Sequence, residues 1–110
     1  MKVRLYSKMV IGECINDEGV KEIEQRVEDS NLGAEPGFVS CQVLTETDGR
    51  MVVILTTWES PEARNRHHGS RLYRQFVERT QHLILGQWSV VDANTLSGFD
   101  FEQVTEGEEL

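Results

Sequence analysis

Residues 51–58 read Met51-Val52-Val53-Ile54-Leu55-Thr56-Thr57-Trp58. The run is rich in β-branched residues and lacks the apolar–polar alternation of a strand with one wet face. It is predicted to be a strand covered on both faces. A chain of 110 residues has room for one domain. Such a domain buries roughly 60–70% of the surface its unfolded chain exposes. The question this strand poses is what covers its second face.

The rest of the chain frames that strand. Residues 2–11 are rich in β-formers and predict a first strand. Asn16-Asp17-Glu18 predicts a helix N-cap followed by an acidic first turn. Val20, Ile23 and Val27 recur at helical spacing, and the helix is expected to end near Gly33. Glu35-Pro36-Gly37 is a loop, and Phe38 to Leu44 a second strand. Thr47-Asp48-Gly49 predicts a hairpin turn in which Asp-Gly supplies positive φ. Ser60-Pro61-Glu62 starts a second helical region. That region is expected to break at Gly69-Ser70 and restart with Ser70 as cap. Leu72, Phe76 and Leu83, with Tyr73, Val77 and Thr80 beside them, form its buried stripe, and Gly86 ends it. Trp88 to Val91 is a fourth strand. The order β-α-β-β-α-β is the α+β, ferredoxin-like plan: a four-stranded antiparallel sheet with its helices on one face. The helices leave one face of the third strand bare, so a homodimer with sheets packed face to face is expected.

Charge and cysteine usage narrow the partners. The chain carries 19 acidic and 11 basic residues, a net charge of −8. Such a balance argues against nucleic-acid binding, which rests on many Lys and Arg neutralising phosphates. Charges at Lys2, Arg4 and Lys8 interrupt the N-terminal apolar residues, so no signal-peptide core is read there. No stretch approaches the ~20 apolar residues that span a bilayer, so no membrane partner is expected. Cys14 and Cys41 form neither a CxxC pair nor a zinc spacing. They are read as reduced thiols of a cytoplasmic protein, with a disulfide or a reactive thiol as the alternatives, and no metal site is expected. The domain is expected over residues 1–98, with an acidic C-terminal tail over 99–110. Phe99 and Phe101 open that tail. It is either solvated, or an arm on a partner subunit, or docked on the basic second helical region.

The segment Pro36-Gly37-Phe38, a strand, an Asp-Gly turn, an apolar strand ending Thr57-Trp58-Glu59-Ser60, and then His67 resembles the antibiotic biosynthesis monooxygenase family. The resemblance covers roughly residues 2–92. It implies a small dimeric α/β barrel. The family includes quinol monooxygenases, tailoring oxygenases of aromatic polyketides, haem-degrading enzymes and many proteins of unknown activity. The quinol-type members need no metal, flavin or haem. A deprotonated hydroquinone or anthrone itself reduces molecular oxygen. The protein then supplies a base near neutral pH, stabilises the anion and excludes water. Haem-degrading relatives use an Asn on the first strand and a Trp and a His on the second helix. This chain has no Asn before Asn16 and no Trp in the second helical region, which ranks haem handling low.

Candidate site residues follow. Trp58 is either a core aromatic or a pocket wall whose indole N–H meets a quinone oxygen. His67 falls where the family often has His, and imidazole titrates near neutral pH. It is read either as the base or as a hydrogen-bonded structural histidine. His67 and His68 point to different sides of a helix, so at most one faces the pocket. Arg64, Arg66, Arg71, Arg74 and Arg79 form either a solvated face or, through Arg74, a holder for an oxyanion. Tyr73 is a second proton donor. Phe38, Tyr6, Ser7, Gln42 and Phe76 are candidate substrate contacts. The function expected is a cofactor-independent monooxygenase acting with O₂ on a small phenolic, quinol or anthrone-like aromatic. The alternative is a non-catalytic protein of the same fold that binds a small aromatic ligand.

Overall fold

The computed structural model describes residues 5–92. Strand β1 (Tyr6–Cys14) is followed by α1 (Asp17–Glu28), β2 (Phe38–Thr45), β3 (Met51–Trp58), α2 (Pro61–His68), α3 (Arg71–Thr80) and β4 (Ile84–Asp92). Short 3-10 turns occupy Leu32–Ala34 and Gln81–Leu83. The strands form one antiparallel sheet in the order β2-β3-β1-β4. This is the ferredoxin-like arrangement the element order predicts. The acidic segment 99–110 lies outside the described residues.

Three side chains start the three helices. Asn16 Oδ1 accepts from the Gly19 N–H at 2.8 Å. Ser60 Oγ accepts from the Ala63 N–H, with Pro61 in the first turn. Ser70 Oγ accepts from the Tyr73 N–H. Each satisfies a backbone donor that the first helical turn leaves without a partner. Gly69 separates α2 from α3, as its position before Ser70 predicts.

One face of the sheet meets the helices. Val10 and Cys14 of β1, Val52 and Ile54 of β3, Ile84 of β4 and Ile23 of α1 form the main core. Leu32, Trp58 and Ala63 form a second cluster at the other end of β3. The motif Pro36-Gly37-Phe38 has a physical reason there. Gly37 holds φ at +80°, and a Cβ on it would lie 2.5 Å from the Cβ of Ala63. Only glycine lets this loop approach α2 so closely.

Several expectations are corrected. Helix α1 stops at Glu28 rather than near Gly33. The Ser30 hydroxyl donates to the Val27 carbonyl at 2.7 Å, and Leu32 turns into the second cluster. The β2–β3 turn does not use positive φ at Gly49; the described residues that do are Gly37 and Gly86. Gly86 lies within β4 rather than ending a helix. It sits where the β1–β4 register shifts between Ile11 and Glu13. This bulge carries the Trp88 ring over Gly12, where a Cβ would meet the ring at 2.7 Å. Finally, β3 is not fully covered on both faces within one chain. Val52, Ile54 and Thr56 are buried beneath the helices, while Met51, Val53 and Leu55 on the other face are half-buried. Leu44 and Leu85 are exposed. Among the described residues no helix is long and apolar enough to cross a membrane.

Candidate functional site

Alternation along β1 decides which side chains reach the helices. Val10, Gly12 and Cys14 share a face, and Lys8 stands in phase with them. Its side chain therefore enters the interior, where it is only 3% exposed. From α2 the buried His67 meets it: Lys8 Nζ lies 3.0 Å from His67 Nδ1. From α3 the Tyr73 ring approaches, its centroid 4.2 Å from Nζ. The three residues come from three elements, and Thr56 on β3 faces Lys8 across the sheet.

These groups sit on the wall of an apolar cavity between α1, α3 and the sheet. Val10, Val27, Leu32, Ile54, Leu72 and Phe76 supply most of the lining, with Lys8, Ser30, Thr56, His67 and Tyr73 as its polar members. Its volume, counted as space for the centres of water molecules, is about 60 Å³. One water needs roughly 10–15 Å³ by that measure, so the cavity holds a few waters or a small ligand. Lys8 also borders a second cleft with Arg64, Asn65, His68 and Val90.

The electrostatics follow from burial. No carboxylate among the described residues lies within ion-pair distance of Lys8. Desolvation, with the Arg64 guanidinium adding repulsion, pushes the Lys8 ammonium down from 10.5 to about 8. Desolvation and then the charges of Lys8 and His68 push His67 down to about 3. His67 is thus neutral at pH 7. The Lys8 ammonium donates to Nδ1, which puts the imidazole hydrogen on Nε2. The expectation that His67 titrates near neutral pH is corrected, and of the titratable groups lining the cavity Lys8 is the one shifted toward neutrality. Burial also raises the Tyr73 hydroxyl above its usual range.

Trp58 is fully buried behind His67. Their rings stack with centroids 4.8 Å apart. The Trp58 indole N–H donates to Thr56 Oγ1 at 3.0 Å. That hydrogen is taken up by Thr56, and Trp58 does not line the cavity. Phe38 packs edge-on against Trp58 at 5.7 Å and supports the site from behind.

Of the residues picked from sequence, His67, Tyr73 and Phe76 line the cavity. His68 is exposed beside it. Arg74 is exposed on the outer side of α3, because Leu72, Tyr73 and Phe76 take the inner one. Tyr6 lies near α2, its ring centroid 6.0 Å from the Arg64 guanidinium, and is not part of the cavity wall. Ser7 and Gln42 point to the sheet face away from the helices. Ser7 Oγ there lies 3.1 Å from Thr57 Oγ1, and Gln42 is exposed. The polar residues that sequence reasoning missed are Lys8, Thr56 and Ser30. The available signal for Lys8 was its phase with Val10, Gly12 and Cys14.

The antibiotic biosynthesis monooxygenase family model matches residues 15–79. No curated protein matches the sequence. Among solved structures the chain is similar to a monooxygenase of Streptomyces coelicolor in complex with the ligand nanaomycin D. That pair has 21% identity and a TM-score of 0.69, covering 81% of this chain and 84% of the other. It is similar to Rv0793 of Mycobacterium tuberculosis, with 17% identity, a TM-score of 0.65, and 79% and 90% of the two chains covered. A conserved protein of Methanosarcina mazei gives 13% identity and a TM-score of 0.65, covering 81% and 90%. At these identities the likeness shows the fold.

Proposed function

The chain belongs to the antibiotic biosynthesis monooxygenase family, and from that premise we propose that it oxidises a small phenol or quinol with O₂, using Lys8 as the proton acceptor. The observation that carries this reading is the buried Lys8, which lines an apolar cavity and holds its Nζ 3.0 Å from a neutral His67. An amine titrating at about 8 is matched to taking a phenolic proton near neutral pH. Once protonated, it is the counter-charge for the phenolate it has made. The apolar walls keep water from the anion. The substrate anion then reduces O₂: one oxygen atom enters the product, the other leaves as water, and the substrate supplies all the electrons. His67 orients Lys8, Trp58 holds the imidazole plane, and Tyr73 and Phe76 flank the substrate. A second copy covering the free sheet face completes the assembly.

The cavity volume favours a second reading, a protein that binds a small aromatic without turnover, because about 60 Å³ is small for an anthrone. Oxygen uptake separates the two. Metal-free protein is offered a panel of hydroquinones, naphthoquinols and anthrones, with Lys8→Met and His67→Ala as controls. Uptake above autoxidation that falls at least about tenfold in Lys8→Met supports the oxygenase. Ligand retained unchanged at equilibrium, with no uptake, supports the binder.

A further inference from the structure

We infer that Lys8 is also a nucleophile, which captures a small apolar aldehyde or ketone from the cavity as a reversible Schiff base. Three features of its placement carry this. Lys8 lines a cavity walled chiefly by Val10, Val27, Leu32, Ile54, Leu72 and Phe76, and its Nζ lies between His67 and Tyr73, which line the same cavity. Its hydrogen-bond partner is the neutral Nδ1 of His67 rather than a carboxylate. A second cation, Arg64, borders a cleft with Lys8 and bears on its charge. A lysine kept as a permanent charge is normally given an anion when buried. A lysine kept dry and beside another cation is held toward its free-amine, nucleophilic form.

The cavity selects the electrophile. Its walls offer no counter-charge to a bulky anion apart from Lys8 itself, whereas a neutral carbonyl compound enters an apolar space without desolvating a charge. The volume of about 60 Å³ limits the ligand to a few heavy atoms. The step balances without any redox partner. The Nζ lone pair adds to the carbonyl carbon, and the C=O π electrons move to oxygen, which takes a proton from nitrogen. The carbinolamine oxygen then leaves as water with the second Nζ proton, and C=N forms. The hydrogen bond to Nδ1 and the Tyr73 ring at 4.2 Å hold Nζ in place. With a value of about 8, about a tenth of this group is free amine at pH 7.

The sequence contains three lysines, Lys2, Lys8 and Lys21, so the test has an internal standard. Wild-type protein is treated with butanal and sodium cyanoborohydride at pH 7 under nitrogen, and the reduced adducts are located by peptide mass mapping. The expected result is butyl-Lys8 forming at least about tenfold faster than butyl-Lys21, although Lys21 is exposed and Lys8 is not. Denaturing the protein in urea is expected to abolish that preference. Labelling of Lys21 as fast as Lys8 in the native protein, or a preference for Lys8 that persists in urea, overturns the inference. The experiment contains no oxygen and no phenol, so its outcome is independent of the oxygenase reading.

Discussion

Lys8 Nζ and His67 Nδ1 lie 3.0 Å apart although 59 residues separate them in sequence. The pair joins the first half of β1 to the last turn of α2. It also couples two protonation equilibria, since each charge opposes the other.

The first prediction concerns pH. The native pKa of Lys8, about 8, lies below its unfolded value of 10.5. Between those values the unfolded chain binds more protons at this site, so its contribution to stability rises with pH. Burial raises Cys14, Cys41 and Tyr73 above their usual values, and these destabilise the protein at alkaline pH in wild type and variant alike. The difference between wild type and Lys8→Met isolates the lysine. It is expected to move in favour of wild type by about 2 kcal/mol between pH 7 and pH 10. Urea unfolding of both proteins at the two pH values measures it.

Trp58 tests the wall behind the site. Its side chain is fully buried, stacks on His67 and bonds Thr56. Trp58→Ala is expected to cost about 3–5 kcal/mol. Trp58→Phe, which keeps most of the packing and loses the N–H bond, is expected to cost roughly 1–3 kcal/mol. Chemical denaturation checks both, and an effect of Trp58→Ala within about 0.5 kcal/mol contradicts the burial described.

Gly12 tests the bulge in β4. A Cβ there would stand 2.7 Å from the Trp88 ring, so Gly12→Ala must displace the indole. A loss of about 1–3 kcal/mol is expected, with a shift in the fluorescence of Trp88 read in a Trp58→Phe background.

The free sheet face tests assembly. Val53 is half-buried on that face, with exposed Leu44 and Leu85 on the same side. The wild-type protein is expected to sediment as a dimer at micromolar concentration, and Val53→Lys as a folded monomer. A wild-type monomer contradicts this account of the apolar third strand.

Much of this architecture was legible in the chain. Asn16, Ser60 and Ser70 cap the helices where their side chains and neighbours predict, because capping is a local interaction. The strand order follows from the order of elements and the preference for short connections. The site was less legible. His67, Tyr73 and Phe76 reach the cavity, but Lys8 read only as a charge that interrupts an apolar run. Its role depends on strand phase and on a helix that returns nearly sixty residues later. The face taken by Ser7 was no more legible, for the same reason: one step along a strand reverses the face. Arg74 lies among several arginines, and only the inward turn of Tyr73 and Phe76 shows that it points outward.

The most direct measurement is a titration of Lys8 by NMR in protein carrying ¹³C at the lysine ε carbons. Three lysines give three signals, and exposed Lys21 serves as reference. The account predicts a midpoint for Lys8 near 8, well below the ordinary lysine value of about 10.4. A Lys8 midpoint at that ordinary value contradicts it, because the amine would then be neither the base nor the nucleophile of this site.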